Sequence, residues 1–163
     1  MAALLGSEPT LDVVSQMRMG APHPSWLRWL LQPEGDLLVR WTRYRIGSIV
    51  LSRHVAYVDV GRVDSSIVGR LEDERLHLGE LFRSDVIDKF GFEFGSGGTA
   101  GELDLALRRG HADVRNLHPY QWRRYIAATG GRVGFLVVEA LPSVLWRRLL
   151  HSAAERARVT AAA

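Results

Sequence analysis

Glu139 is the residue that the sequence places best for chemistry. It belongs to an extended run, Arg132–Leu141, in which alternate positions share one face of a strand. Four of the five residues on that face are apolar, and the five are Val133, Phe135, Val137, Glu139 and Leu141. A buried carboxylate has to be paired, hydrogen-bonded or protonated. Glu139 is therefore either a structural partner of an arginine or an acid inside a ligand pocket.

Arginines on predicted strands are the natural partners of this carboxylate. The candidates are Arg43, Arg45, Arg62, Arg123 and Arg124. Arg43 and Arg45 share a strand face, and we expect at least one of them to point into the same interior as Glu139. A guanidinium group pairs bidentately with small carboxylates and would offset the cost of burying Glu139.

Apolar residues complete the predicted pocket. Phe135, Val137 and Leu78 would wall an Arg–Glu pair, and such an arrangement suits a small anionic or polar organic molecule. The same residues would equally describe a structural ion pair within a sheet. The sequence alone leaves both interpretations open.

The sequence lacks the motifs that other kinds of functional site require. Gly95–Ala100 fits a G-x-G-x-x-A pattern, but no βαβ unit surrounds it, and a flexible loop is the better interpretation. The six histidines show no metal-binding spacing, the chain has no cysteine, and no G-x-S-x-G elbow is present. We therefore predict no cofactor and no metal.

Composition and charge indicate an ordinary globular chain. It has 163 residues, 47% hydrophobic and 24% charged, with a net charge of +3 and Lys89 as its sole lysine. The arginines are spread along the chain, so nucleic acid is not a predicted partner. No apolar run would span a bilayer, and the N-terminus lacks the pattern of a signal peptide, so a cytoplasmic monomer or homodimer is expected.

The elements that must position these residues follow from periodicity and turn signals. Helices are predicted at Ser25–Gln32, from Asp64 or Ser65 to Arg75, at Ala100–Arg109 and at Val144–Arg158. Strands are predicted at Leu37–Leu51, Val55–Val63, Gln121–Ala128 and Arg132–Leu141, with turns at Ser52–His54 and Thr129–Gly131. Asp85–Phe94 is compatible with either state. The pattern predicts an antiparallel α+β domain.

This domain is expected to span residues 25–150. Residues 1–24 contain several prolines and are predicted to form an N-terminal arm, and residues 151–163 a helical tail.

Several motifs occur in an order that resembles the chorismate pyruvate-lyase family. Residues 122–146, WRRYIAATGGRVGFLVVEALPSVLW, are similar to its closing hairpin of an Arg-rich strand, a Gly turn, and an apolar strand ending in Glu and Leu-Pro. His77–Phe82 is similar to its Pro-Leu-Gly-x-x-Leu-Phe turn, with His in place of the usual Pro. Tyr44–Ile46 with Ser48–Leu51 resembles its Arg-bearing strand, and Trp26–Gly35 its early helix.

The resemblance implies a six-stranded antiparallel sheet with helices on one side and an internal ligand cavity. It implies a cofactor-independent lyase that removes pyruvate from chorismate to give 4-hydroxybenzoate. By position, Glu139 would lie near the ring hydroxyl, Leu78 would offer its backbone amide and Arg45 would grip the carboxylate. The predicted catalytic residues are Glu139 and Arg45, and the predicted substrate-binding residues are Leu78, Gly79, Arg62, Arg43, Phe135 and Val137.

The chain departs from the family pattern in two places. The segment before the Arg45 strand is short, and about 23 residues, Ser96–His118, are inserted before the last hairpin. A reshaped cavity on the same scaffold implies two alternatives. One is an enzyme of natural-product biosynthesis that cyclises, eliminates or rearranges another intermediate, such as a polyketide. The other is a non-catalytic protein that binds a small molecule.

Overall fold

The computed structural model describes residues 9–73, 78–84, 87–96, 102–111 and 120–143. Their strands are β1 Thr10–Met19, β2 Leu37–Ile46, β3 Ile49–Asp59, β4 Ile87–Ser96, β5 Tyr120–Thr129 and β6 Arg132–Pro142. Their helices are α1 Ser25–Leu31, α2 Ser65–Glu72, α3 Leu78–Ser84 and α4 Glu102–Gly110. The strands form one antiparallel sheet in the order β1-β2-β3-β6-β5-β4. The predicted α+β class with an antiparallel sheet is therefore confirmed.

Two tight hairpins supply the centre of the sheet. Gly130 and Gly131 connect β5 to β6 with φ angles of 55° and 77°, in the left-handed region that favours glycine, as the sequence predicts for this hairpin. The β2–β3 hairpin also forms, but its turn lies at Gly47, with a φ of 56°, and not at the predicted Ser52–His54. The β-forming residues continue through the predicted turn, so the glycine decides where the chain reverses.

A β-bulge in β6 changes which side chains share a face. Ala128 pairs with Val133, whereas Ala127 pairs with Phe135, so Gly134 is an extra residue in β6. A shift of one residue sends the following side chains to the other face of the sheet. Val133 accordingly packs in the cluster on the opposite face from Phe135, which corrects the prediction that both lie on the face of Glu139.

Helices cover both faces of the sheet, not one face as predicted. Leu27 and Leu31 of α1 and Leu107 of α4 pack on the first face, against alternate residues of β2, β3 and β6. Val68 and Leu71 of α2 pack on the second face, together with Leu81 of α3. The central strands are therefore buried on both sides, and α3 covers only part of the second face.

The N-terminal segment is part of this sheet. Residues 10–19 form the edge strand β1, which pairs along its length with β2. The predicted arm over residues 1–24 is corrected accordingly, because backbone pairing holds this segment in place. For Asp85–Phe94 the sequence left strand and helix open. Most of this segment belongs to strand β4, which forms the other edge of the sheet. The predicted helix at Val144–Arg158 and the tail at 151–163 lie outside the described residues.

Candidate ligand-binding site

A cavity of about 430 Å³ opens on the second face of the sheet, beside α3. All six strands reach its walls. The lining residues are Pro9, Leu11, Thr42, Tyr44, Ser52, His54, Leu78, Gly79, Lys89, Phe92, Arg123, Tyr125, Val137, Glu139 and Leu141. The volume and the mixture of apolar walls with a few polar groups suit a small organic molecule.

Glu139 lies in this cavity and is held by two neighbours from β5. The Nε of Arg123 donates to its Oε2 at 2.5 Å, and the hydroxyl of Tyr125 donates to its Oε1 at 3.0 Å. The Glu139 side chain is 12% exposed, whereas that of Arg123 is 40% exposed. The burial of the carboxylate is thus offset by two charge-assisted hydrogen bonds, one from a cationic donor and one from a neutral donor.

These contacts keep Glu139 ionised. Burial is the largest influence on its pKa and raises it, but the charge that His54 carries when protonated, the charge of Arg123 and the hydrogen bonds from Arg123 and Tyr125 together outweigh burial. The pKa of Glu139 therefore lies below its ordinary value. At neutral pH the cavity contains a carboxylate and not a carboxylic acid.

His54 faces the same cluster from β3, in register with Glu139. Its Nε2 lies 2.8 Å from the Oγ of Ser52, and its ring lies 5.2 Å from that of Tyr44. Burial lowers the pKa of His54, with the charge of Glu139 opposing this shift and that of Arg123 adding to it. The imidazole is therefore neutral at pH 7 and contributes a polar but uncharged surface.

An aromatic wall follows β5 and β4. The rings of Tyr125 and Phe92 are 5.1 Å apart, and two cations approach the Tyr125 ring, Lys89 Nζ at 5.7 Å and Arg123 Cζ at 5.9 Å from its centroid. Burial, together with the charge of Glu139 and the hydrogen bond to it, raises the pKa of Tyr125 well above its ordinary value. The phenol stays protonated and remains a hydrogen-bond donor.

The first turn of α3 forms the roof of the cavity through Leu78 and Gly79. A Cβ atom at Gly79 would lie 2.6 Å from the hydroxyl of Tyr44, so the helix backbone approaches that ring more closely than a larger residue permits. The predicted residues Leu78, Gly79, Val137 and Glu139 are thus brought together around one cavity. Their predicted roles toward a ligand stay predictions.

Two other predicted residues, Arg43 and Arg45, lie on β2 next to the edge strand β1. The Nε atoms of Arg43 and Arg45 both donate to Oδ2 of Asp12 in β1, at 3.0 and 2.7 Å. The cavity lining from β2 is Thr42 and Tyr44 instead. Arg43 and Arg45 alternate with Thr42 and Tyr44 along β2, so the positions of this strand that line the cavity are not the arginines.

Arg62 and Phe135 have structural surroundings. Arg62 donates to the carbonyl oxygens of Leu31 and Gln32 at 3.1 and 2.7 Å, and its Nε lies 3.4 Å from the fully buried Asp59. Phe135 is buried in the core cluster beneath α2 and α3. Neither residue is among those that line the cavity.

Three residues of the polar cluster were not singled out by sequence reasoning. Arg123 appeared there only as one of five strand arginines, and Tyr125 and His54 carried no signal of their own. A register for the last hairpin that included the bulge would have placed Arg123 opposite Glu139, as the pairing shows. Among the described residues, no group of three or more His, Asp or Glu side chains is arranged to hold a metal ion.

Comparison with known proteins identifies the fold. No family model and no curated protein matches the chain. Among solved structures, the PhnF C-terminal domain matches with a TM-score of 0.59 and 15% identity, covering 85% of each chain. The C-terminal domain of the histidine utilization repressor from Pseudomonas syringae pv. tomato str. DC3000 matches with a TM-score of 0.55 and 13% identity, covering 83% of this chain and 92% of that one.

A third match is the ligand-binding domain of a GntR-family transcriptional regulator from Bordetella bronchiseptica. Its TM-score is 0.52 at 12% identity, with coverage of 83% of this chain and 84% of that one. At these identities the similarity shows a shared fold. The resemblance to chorismate pyruvate-lyase is thereby reduced to a relation of fold, because none of these matches is that enzyme.

The same matches overturn the predicted activity. The resemblance predicted a lyase, with a cyclase of natural-product biosynthesis as an alternative, whereas the matched structures include a ligand-binding domain of a transcriptional regulator, a domain of a repressor and a further GntR-family transcriptional regulator. Both enzymatic predictions are therefore wrong. The exclusion of nucleic acid as a partner also loses support, since regulators of transcription act on genes. Within the described part of the chain, no helix is long and apolar enough to cross a membrane.

Proposed function

We propose that this chain binds a small organic effector in the cavity beside Glu139 and serves as the sensing module of a transcriptional regulator. The cavity itself carries the proposal. It has the volume of a small-molecule site and a charged cluster at its base, and it occurs in a fold shared with a domain described as ligand-binding. Of the alternatives that the sequence leaves open, this is the non-catalytic one.

The protonation states of the cluster favour binding over catalysis. General acids and bases work best when their pKa lies near the pH of the reaction. Here the pKa of Glu139 and that of His54 are lowered, and the pKa of Tyr125 is raised. Glu139 and the neutral His54 are thus weak bases, and Tyr125 is a firmly protonated donor. Such groups recognise a ligand by hydrogen bonds and charge.

A thermal-shift screen of small metabolites tests this function. A ligand at 100 times its Kd stabilises the folded chain by about 2.7 kcal/mol, which raises the melting temperature by roughly 5–10 °C. Leu141→Trp places an indole at a partly exposed position of the cavity wall and is expected to abolish the shift. Ile49→Trp is the matched control, because Ile49 is 63% exposed and is not among the lining residues.

Three outcomes would contradict the proposal. The first is a screen without any hit. The second is a hit that Leu141→Trp leaves unchanged, because the compound would then bind elsewhere. The third is conversion of the bound compound to a product, followed by chromatography, since a sensing module returns its ligand unaltered.

A further inference from the structure

Arg123 and Glu139 bind each other through only part of their hydrogen-bonding capacity. Arg123 uses Nε for Glu139, and within the described ranges its Nη1 and Nη2 groups make no further hydrogen bond. Glu139 accepts one hydrogen bond on each oxygen, although each carboxylate oxygen has two lone pairs. The pair therefore offers open N–H donors and open acceptor sites at the base of the cavity.

The two open sites are close neighbours. Arg123 Nε and Glu139 Oε2 are 2.5 Å apart, so the Nη donors of one side chain adjoin the acceptor oxygen of the other. A ligand that satisfies both needs an acceptor and a donor on adjacent carbons. A carboxylate fits the fork of guanidinium N–H groups, and a hydroxyl group on the next carbon then reaches Glu139.

The charge of the described lining residues selects the form of that donor. Lys89 Nζ and Arg123 Cζ lie 5.7 and 5.9 Å from the centroid of the Tyr125 ring, so the open acceptor of Glu139 has cations close to it. A hydroxyl group donates to Glu139 without adding another positive charge there. An amino acid would place its ammonium group on Glu139 but also against the guanidinium group of Arg123, and this repulsion favours the hydroxyl.

The other lining residues of the cavity favour a ligand with an apolar substituent. Leu78, Val137 and Leu141 line the cavity with aliphatic surface, and Phe92 and Tyr125 add aromatic rings. Burial of a flat apolar group against these residues supplies binding energy that the polar cluster does not.

We propose that the ligand class is a 2-hydroxycarboxylate with an apolar or aromatic substituent, its carboxylate on Arg123 Nη1 and Nη2 and its hydroxyl on Glu139. This inference rests on the proposed function and names the ligand chemistry of the same cavity. It assigns the recognition of the anion to Arg123 and not to Arg45.

Isothermal titration calorimetry with four compounds of one shape tests the inference. They are 2-hydroxy-3-phenylpropanoate, 3-phenylpropanoate without the hydroxyl, 2-phenylethanol without the carboxylate, and phenylalanine. The hydroxy acid is expected to bind at least about tenfold more tightly than each of the others, the usual effect of one hydrogen bond to a charged group. Equal affinity with and without the hydroxyl overturns the role of Glu139, and tighter binding of phenylalanine overturns the charge argument.

Arg123→Lys tests the guanidinium fork. Lysine keeps the charge beside Glu139 but lacks the paired Nη donors, so the hydroxy acid is expected to bind at least about tenfold more weakly. Arg124→Lys is the matched control, because Arg124 is the next residue of β5 and pairs with Glu93 through its Nη2 at 2.6 Å. Unchanged affinity in Arg123→Lys, with circular dichroism as the check of folding, overturns the assignment.

The result separates this inference from the proposed function. If no compound of the series binds, but another small molecule binds and Leu141→Trp blocks it, the ligand class is wrong and the sensing role stands. If no small molecule binds in the cavity, both fail. Should Arg123→Lys not fold, the four-compound comparison on the unaltered chain still decides the ligand class.

Discussion

Two clusters of arginine and carboxylate lie on this sheet and differ in what surrounds them. At the β1 edge, Asp12 is 22% exposed and accepts from Arg43 and Arg45, which are 39% and 37% exposed. In the cavity, Glu139 is 12% exposed and accepts from Arg123, which is 40% exposed, and from the buried Tyr125. The arginines of the two clusters are about equally exposed, but the carboxylate of Glu139 is more buried than that of Asp12 and lies among aromatic and aliphatic lining residues.

The difference explains why chemistry cannot be assigned to arginines by residue type alone. In the edge cluster, Asp12 accepts hydrogen bonds from the Nε atoms of both arginines, and water and salt screen these interactions. In the cavity cluster, the burial of Glu139 strengthens the hydrogen bonds that it accepts, and Arg123 lines a space of ligand size. Enclosure distinguishes a recognition site from a structural clamp.

The largest expected effect is on stability and comes from Arg123→Met. Removal of the cation leaves the Glu139 carboxylate buried with one hydrogen bond, from the neutral Tyr125 hydroxyl, and the partial exposure of Arg123 places the loss at about 2–3 kcal/mol. The melting temperature should fall by roughly 5–10 °C in a circular dichroism melt. Arg124→Met, which removes a partner of the exposed Glu93, should cost less than about 1 kcal/mol. Equal losses in the two variants would show that enclosure of the cavity cluster has no energetic consequence.

Glu139→Gln tests the same enclosure through pH. The unfolded chain takes up a proton at the ordinary carboxyl pKa, 4.5, and the folded chain only at lower pH, because the pKa of Glu139 is lowered. Its contribution to stability is therefore complete above pH 4.5 and is lost as the pH falls through the folded pKa. Glu139→Gln should lower stability by about 1–2 kcal/mol at pH 7. Denaturant titrations should then show that the variant loses less than the unaltered chain between pH 6 and pH 3.

If the stability of Glu139→Gln and that of the unaltered chain fell in parallel between pH 6 and pH 3, Glu139 would not be a source of the pH dependence. Ligand binding offers an independent test. In Glu139→Gln, the affinity of 2-hydroxy-3-phenylpropanoate should fall toward that of 3-phenylpropanoate. If Glu139 has a purely structural role, the ratio of the two affinities should stay unchanged.

The smallest expected effect is from Asp12→Asn. Hydrogen bonds from Arg45 and then Arg43 are the main cause of the lowered pKa of Asp12, but the group is solvated. The melting temperature should fall by about 2 °C or less, and the difference from the unaltered chain should vanish in 1 M NaCl. A larger loss that persists in salt would show that the two clusters are energetically alike.

Local sequence signals predicted much of the architecture. The paired glycines between two β-rich runs predicted the β5–β6 hairpin, and the helix beginning at Ser25 ends within one residue of its predicted limit. A helix from Asp64 or Ser65 to Arg75 was likewise expected, and a helix forms at Ser65–Glu72, where Asp64 caps it by accepting from the amide of Ser66 at 2.8 Å. These signals depend on neighbouring residues only, which is why a sequence reveals them.

The edges of the sheet were harder to predict. Nothing local distinguishes β1 from an irregular arm, because most of its residues are exposed or half-buried and its regular backbone depends on pairing with β2. β4 is exposed along nearly its whole length, so it too lacks the alternation that marks a buried strand. Both edge strands owe their conformation to a neighbour that is distant in sequence.

The sequence by itself determined the antiparallel α+β class, the closing hairpin and the presence of a carboxylate, Glu139, on an apolar strand face. Only the tertiary structure decided which side chain meets that carboxylate. Without the bulge at Gly134, the two-residue turn would place Glu139 opposite Trp122, but the extra residue shifts the register and brings Arg123 there. A residue larger than glycine does not fit at position 134 without a shift, because a Cβ atom there would lie 2.5 Å from Cγ2 of Val63, and this contact joins segments far apart in the chain.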